Sequence, residues 1–182
     1  MKILTWNLNH RAGKKGSTPE KMKKVTASLK DLDADFVVLT EYVPDPKYDD
    51  QFQKDLKLSG YADVTISDYY SPKNNVHNRI LIASRSPMKR GSIRPPMDII
   101  EGVPNNLFHV TFSDLGLGIL GLRMPLPMNA AEKKKWWDSI TAIAKDNQNH
   151  PFIILGDFNT DRSTRGPNGA IRFTKITEYG WQ

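Results

Sequence analysis

Apolar positions along this chain recur with two different periods, and polar, glycine- and proline-rich stretches separate them. Short runs rich in β-branched, aliphatic and aromatic residues predict strands over 2–8, 35–41, 61–67, 79–84, 106–113, 117–122 and 152–155. Residues 88–94 read as a short edge strand, and Asp114-Leu115-Gly116 as the tight turn of a hairpin. Phe152-Ile153-Ile154-Leu155 has four apolar residues in a row, the pattern of a strand buried on both faces. Helical spacing appears elsewhere. Met22, Val25, Leu29 and Leu32 fall on one face after Ser17-Thr18-Pro19-Glu20, which supplies hydroxyl caps, a first-turn proline and a glutamate three after Ser17. A helix is predicted over 49–58. Another follows the capping pair Asn129 and Glu132, with Trp136, Ile140 and Ile143 on one face and Trp137 beside it. A last helix is expected over 168–178.

Strands joined by a hairpin, and strands separated by helices, require mixed sheets in a layered α/β domain. Two packed sheets flanked by helices accommodate this number of strands. With 182 residues, no repeat and no linker, residues 1–182 read as a single domain.

Composition narrows the class. Hydrophobic content of 38% and charged content of 25% are those of an ordinary globular chain. No apolar run approaches the roughly 20 residues of a membrane span. Met1-Lys2-Ile3-Leu4-Thr5-Trp6 turns polar too soon for a signal peptide. Without cysteine there is no disulfide framework, zinc–thiolate site or thiol nucleophile, which suits a reducing cytoplasm. The net charge of +6 is concentrated at Lys14-Lys15, Lys21 to Lys24, Lys89-Arg90 and Lys133 to Lys135. It is consistent with a polyanionic partner and equally with solvated lysine-rich faces.

The polar residues that close the strands carry the candidate chemistry. Asn7 ends the first, Glu41 the second, and Asp157 and Asn159 follow 152–155 across Gly156. Taken alone, Asp157 and Asn159 could be a turn capping the next helix. Several such oxygens at comparable strand ends suit a hard cation, Mg²⁺ or Mn²⁺, that polarises a phosphoryl oxygen. They do not suit a structural zinc.

Thr5-Trp6-Asn7-Leu8-Asn9, Leu39-Thr40-Glu41, Arg79 to Arg85 and Gly156-Asp157-Phe158-Asn159 stand in an order and spacing that resembles the endonuclease/exonuclease/phosphatase superfamily. The resemblance covers nearly the whole chain. It implies a DNase I-like four-layer α/β sandwich of two mixed β-sheets flanked by helices, and a Mg²⁺- or Mn²⁺-dependent phosphoesterase. By the resemblance, Asn7 and Glu41 would bind the metal, Asp157 would orient or deprotonate the attacking water, and Asn159 would hold a phosphate oxygen. Asn9, His10, Arg11, Asn78, Arg79 and Arg123 are the substrate-contact candidates. His77, His109 and His150 read as surface, strand and loop residues, and Trp136 and Trp137 as core.

The chain also departs from the pattern. Thr40 replaces a common glutamine, and Arg123 stands where a histidine or asparagine is frequent. Arginine clamps phosphate but is no base at neutral pH. The Ser/Asp-Asp-His ending is absent from these 182 residues. The expectation is therefore a chain truncated at its C-terminus, one completed by another segment or by dimerisation, or a short member without catalysis. The functional expectation is a nuclease or phosphodiesterase acting on nucleic acid. The alternatives are a catalytically impaired polyanion-binding member and a phosphomonoesterase or lipid phosphatase.

Overall fold

A computed structural model of the chain describes residues 1–9, 18–45, 47–68, 78–94, 103–124, 129–160 and 170–181. Eight strands and four helices follow one another in these segments: β1 Ile3–Asn7, α1 Pro19–Leu32, β2 Phe36–Tyr42, α2 Asp49–Leu58, β3 Asp63–Ile66, β4 Arg79–Ser84, β5 Lys89–Arg90, β6 Leu107–Phe112, β7 Leu117–Arg123, α3 Ala130–Asp146, β8 Phe152–Asp157 and α4 Ala170–Thr177. They form two four-stranded sheets, in the orders β1-β2-β4-β3 and β5-β6-β7-β8. In each sheet one outer pair is parallel, β1 with β2 and β7 with β8, and the other pairings are antiparallel. A helix makes each parallel connection, α1 in the first sheet and α3 in the second.

Three apolar clusters hold four layers together. Phe36, Val38, Ile80 and Ile82 of the first sheet meet Phe108, Val110, Phe112, Leu117 and Ile119 of the second. Gly121 of β7 faces Val38 and Ile80, where a side chain would collide with them. On the outer face of the first sheet, Met22, Val25 and Leu29 of α1 and Phe52 and Leu56 of α2 cover Val37, Leu39 and Tyr42. On the outer face of the second, Trp136, Trp137 and Ile140 of α3 and Ile176 of α4 cover Leu107, Leu120 and Leu122. This is the mixed-sheet sandwich flanked by helices that the patterning and the resemblance led us to expect.

Local signals place most element ends. Thr18 caps α1, its hydroxyl accepting from Lys21 N, with Pro19 opening the first turn. Ser17 lies outside the described residues. Asn129 and Glu132 form the reciprocal capping box of α3, with bonds of 2.9 and 2.7 Å. Three readings need correcting, and the hairpin turn gains detail. Leu32 is 43% exposed, because α1 ends there and the chain turns off through Asp33 at φ 47°. The edge strand within 88–94 shrinks to Lys89–Arg90. The tight hairpin turn between β6 and β7 stands as read, built as a 3₁₀ turn, Ser113–Leu115, closed by Gly116 at φ 58°. The run 152–155 is half-buried, because among the described residues β8 has a neighbouring strand on one side only. The strands buried along their whole length are β2 and β7, each flanked by strands on both sides.

Candidate active site

Side-chain alternation brings three strand ends together at one seam. On β1, Leu4 and Trp6 pack under the helices while Ile3 joins the cluster between the sheets, so Asn7 closes the inward-facing row. On β7, Leu117, Ile119 and Gly121 face the first sheet, and Arg123 continues that row. On β8, Ile153 and Leu155 face inward, and Asp157 follows. A period of two therefore delivers an amide, a guanidinium and a carboxylate to the gap between the sheets, at the C-terminal ends of the two parallel pairs.

Glu41 arrives by another route. Val37 and Leu39 lie beneath the helices, and strict alternation would send Glu41 there too. Instead the β2–β4 register shifts between Leu39 and Tyr42. Tyr42 takes the position under the helices, and Glu41 adopts a left-handed φ of 53°. A bulge of this kind re-aims a side chain at the cost of local strain. The carboxylate turns to the seam.

The four groups form one bonded cluster. Arg123 Nε donates to Glu41 Oε1 at 2.9 Å, and Nη2 stands 2.9 Å from the same oxygen as an ion pair. Asn7 Nδ2 donates to Asp157 Oδ2 at 2.8 Å and to Glu41 Oε1 at 3.3 Å. Two of these links cross from one sheet to the other. The Glu41 and Arg123 side chains are 10% and 7% exposed and form the floor. Asp157 is half-buried, and Asn7, Asn9 and Asn159 are exposed at the mouth.

Backbone geometry tightens the mouth. Asn9 N donates to Asn7 Oδ1 at 2.8 Å, and Asn159 N to Asp157 Oδ1 at 2.9 Å. Both asparagines have left-handed φ, 49° and 48°, a conformation their short side chains tolerate. Asp157 thus makes the turn and also joins the cluster: one oxygen serves the turn, the other meets Asn7. Met124, which sequence reasoning did not single out, is the hub behind them. Its N–H donates to Asp157 O at 2.8 Å and its carbonyl accepts Asn159 Nδ2 at 2.7 Å. Only its position just after the arginine that ends β7 hinted at such a role.

Gly156 sets the exit of β8. Its φ is 140°, and a Cβ there would stand 1.8 Å from Leu122 O. Gly156→Ala is expected to cost about 3 kcal/mol or more, since neither β7 nor β8 can retreat without opening the parallel ladder. Urea denaturation checks this; a loss under about 1 kcal/mol would show that the exit adapts.

The remaining candidates divide. Arg79 opens β4 beside the end of β2 but spends its guanidinium on Ser67 O, through Nε at 2.7 Å and also through Nη2. Burial lowers its pKa below the usual arginine value, opposed by the charges of Asp49 and Asp68. Nearby, burial and a hydrogen bond to Asp49 push the Tyr42 hydroxyl far above its ordinary value, so it stays protonated. Asn78 is buried, and its Nδ2 has no hydrogen-bond partner among the described residues. His109 lies in β6, with Nδ1 accepting from Ile93 N at 3.2 Å, and burial lowers its pKa. His150 is exposed, and Trp136 and Trp137 are fully buried. His10, Arg11 and His77 lie outside the described residues.

The donor set has room for a hard cation. No hydrogen bond among the described residues reaches Glu41 Oε2, and Asn7 Oδ1 accepts one bond of the two it can take. One carboxylate oxygen, amide oxygens and water are the ligands such a cation takes. Among the described residues no three histidines, cysteines or acids cluster for a metal held by protein alone.

No curated protein sequence matches the chain. Solved structures do match. An AP endonuclease from Archaeoglobus fulgidus superposes with a TM-score of 0.71 at 16% identity, over 98% of this chain and 70% of that one. An endonuclease/exonuclease/phosphatase from Beutenbergia cavernae DSM 12333 gives 0.72 at 17%, over 98% of this chain but 53% of that one. The 3′ phosphatase NExo (D146N) from Neisseria, bound to product DNA hairpin, gives 0.66 at 20%, over 98% and 71%. At these identities the likeness concerns the fold. Sequence carries the rest: from Leu4 in β1 to Thr177 at the end of α4, a span that includes every residue of the cluster, the match is to the Endonuclease/Exonuclease/phosphatase family, to which this chain belongs.

Proposed function

We propose that this chain is a divalent-metal-dependent phosphoesterase whose substrate is a phosphodiester of nucleic acid. The observation that carries the reading is Asn7 Nδ2, which joins the carboxylates of Glu41 and Asp157 across the two sheets. Glu41, through its open Oε2, and Asn7, through Oδ1, are the groups that would hold Mg²⁺ or Mn²⁺. Such an ion, when bound, supplies charge to a phosphoryl oxygen and to the leaving alkoxide.

The protein's own residues do the remainder. Asp157 is held on both oxygens, so its position is set before substrate arrives. It orients and deprotonates a water for in-line attack on phosphorus. Asn159 has one amide hydrogen committed to Met124 O and presents the other to a phosphate oxygen. Asn78 Nδ2, without a partner among the described residues, is a further donor at this end of the sheet. The net charge of +6 favours a polyanion, and the NExo structure holds a DNA product.

The test is hydrolysis of single- and double-stranded DNA, abasic DNA, RNA and a small aryl phosphodiester, with Mg²⁺, with Mn²⁺ and with chelator. Turnover of a nucleic acid that chelator abolishes is the expected result. Absence of turnover on every phosphoester would overturn the reading. A second reading, polyanion binding without cleavage, is favoured by the Glu41–Arg123 pair, which neutralises one of the two carboxylates. It requires salt-sensitive DNA binding that Asp157→Ala leaves intact, without turnover.

A further inference from the structure

We infer that Arg123 is a built-in counter-cation that holds the affinity of this site for divalent metal low. The inference rests on the metal reading of Glu41 and Asn7. It follows from where the guanidinium is placed. Arg123 meets Glu41 Oε1 with a hydrogen bond from Nε and an ion pair from Nη2, both at 2.9 Å, and Asn7 adds a third contact to the same oxygen. All of this converges on Oε1 and leaves Oε2 as the open face. The arginine therefore does two things at once. It orients the carboxylate toward a cation, and it places a positive charge against the residue that must hold that cation.

The second effect dominates because of burial. Both side chains are at most one-tenth exposed, so water and salt screen the guanidinium poorly. Arginine cannot shed its proton to relieve the repulsion. With Arg123 present, the two carboxylates and the guanidinium leave a single net negative charge to attract a divalent ion. Without it there would be two. The register of β7 gives Arg123 little room to withdraw, since its backbone is paired opposite Asp157.

Direct Mn²⁺ titration of the full chain, followed by the loss of the free-ion electron paramagnetic resonance signal, tests this without any turnover. Arg123→Gln keeps a donor for Oε1 and removes the charge. It is expected to tighten Mn²⁺ binding by about tenfold or more. Arg123→Lys keeps the charge and should stay within about threefold of wild type. Glu41→Gln should lose the binding, which ties the signal to this site. Equal or weaker binding by Arg123→Gln, with wild-type binding intact, overturns the inference. If neither wild type nor Arg123→Gln binds Mn²⁺, both the inference and the metal reading fall. If wild type binds and Arg123→Gln binds more tightly but no phosphoester is cleaved, the inference stands and the proposed activity falls. Should Arg123→Gln not fold, the wild-type Arg123 Nε–H resonance, assigned by its loss in Arg123→Lys, answers instead. It should shift with added Mg²⁺, and a resonance that stays fixed while Mn²⁺ binds overturns the inference.

Discussion

Glu41→Ala is expected to destabilise the fold by about 3–5 kcal/mol, an effect larger than any surface ion pair here can produce. The reason is the partner left behind. Arg123 is 7% exposed, and its Nε and Nη2 both end on Glu41 Oε1. Without the carboxylate a permanent positive charge stays in the seam between two sheets, with Val38, Ile80 and Ile119 in the core behind it. By contrast the Arg90–Asp68 pair, at 2.7 Å, is 47% and 73% exposed, and Asp68→Ala should cost at most about 1 kcal/mol. The double variant Glu41→Ala/Arg123→Met removes both charges and should recover most of the loss, giving strong non-additivity. Urea-unfolding midpoints for wild type, Glu41→Ala, Arg123→Met and the double variant decide it. A single-variant loss below about 1 kcal/mol, or additive losses, would mean that water reaches the seam and the pair is solvated.

The same residues show how far the sequence could be read. Asn7, Arg123 and Asp157 lie on inward-facing rows that follow from alternation alone: Ile3 to Asn7, Leu117 to Arg123, Ile153 to Asp157. Recognising the strands was enough to place them at strand ends, although not to pair them. Helix caps at Thr18 and Asn129 were equally legible, because a cap depends on residues within one turn. Glu41 was found by type and position, yet its direction could not be read. Alternation sends it under the helices, and what turns it round is a bulge created by β4, a strand some 40 residues away. The partner of Arg123 was likewise out of reach. A terminal arginine suggests a phosphate clamp, while the fold gives it a carboxylate 82 residues earlier in the chain. The half-burial of β8 follows from its place at a sheet edge, which local composition does not encode. Local chemistry was legible, then, and long-range pairing was not.

Asp157→Asn is expected to lower kcat by about 10²–10⁴-fold while leaving the fold intact. Substitution by asparagine is the informative change because of how the carboxylate is held. Oδ1 accepts Asn159 N at 2.9 Å, and an amide oxygen can keep that bond and so the turn. Oδ2 accepts Asn7 Nδ2 at 2.8 Å, and an amide nitrogen there sets donor against donor. Asn7 retains Glu41 Oε1 as an acceptor, so the cluster does not fall apart. The side chain can no longer take a proton from water, and that is the function assigned to it. Because the groups proposed to meet phosphate, Asn159 and Asn78, are untouched, KM should move little while kcat collapses. Thermal unfolding should shift by only a few degrees, since one exposed hydrogen bond of about 1 kcal/mol is lost. A variant that retains kcat within about threefold would remove Asp157 from proton transfer. A variant whose KM rises with kcat unchanged would assign the carboxylate to substrate placement, leaving the base to another group.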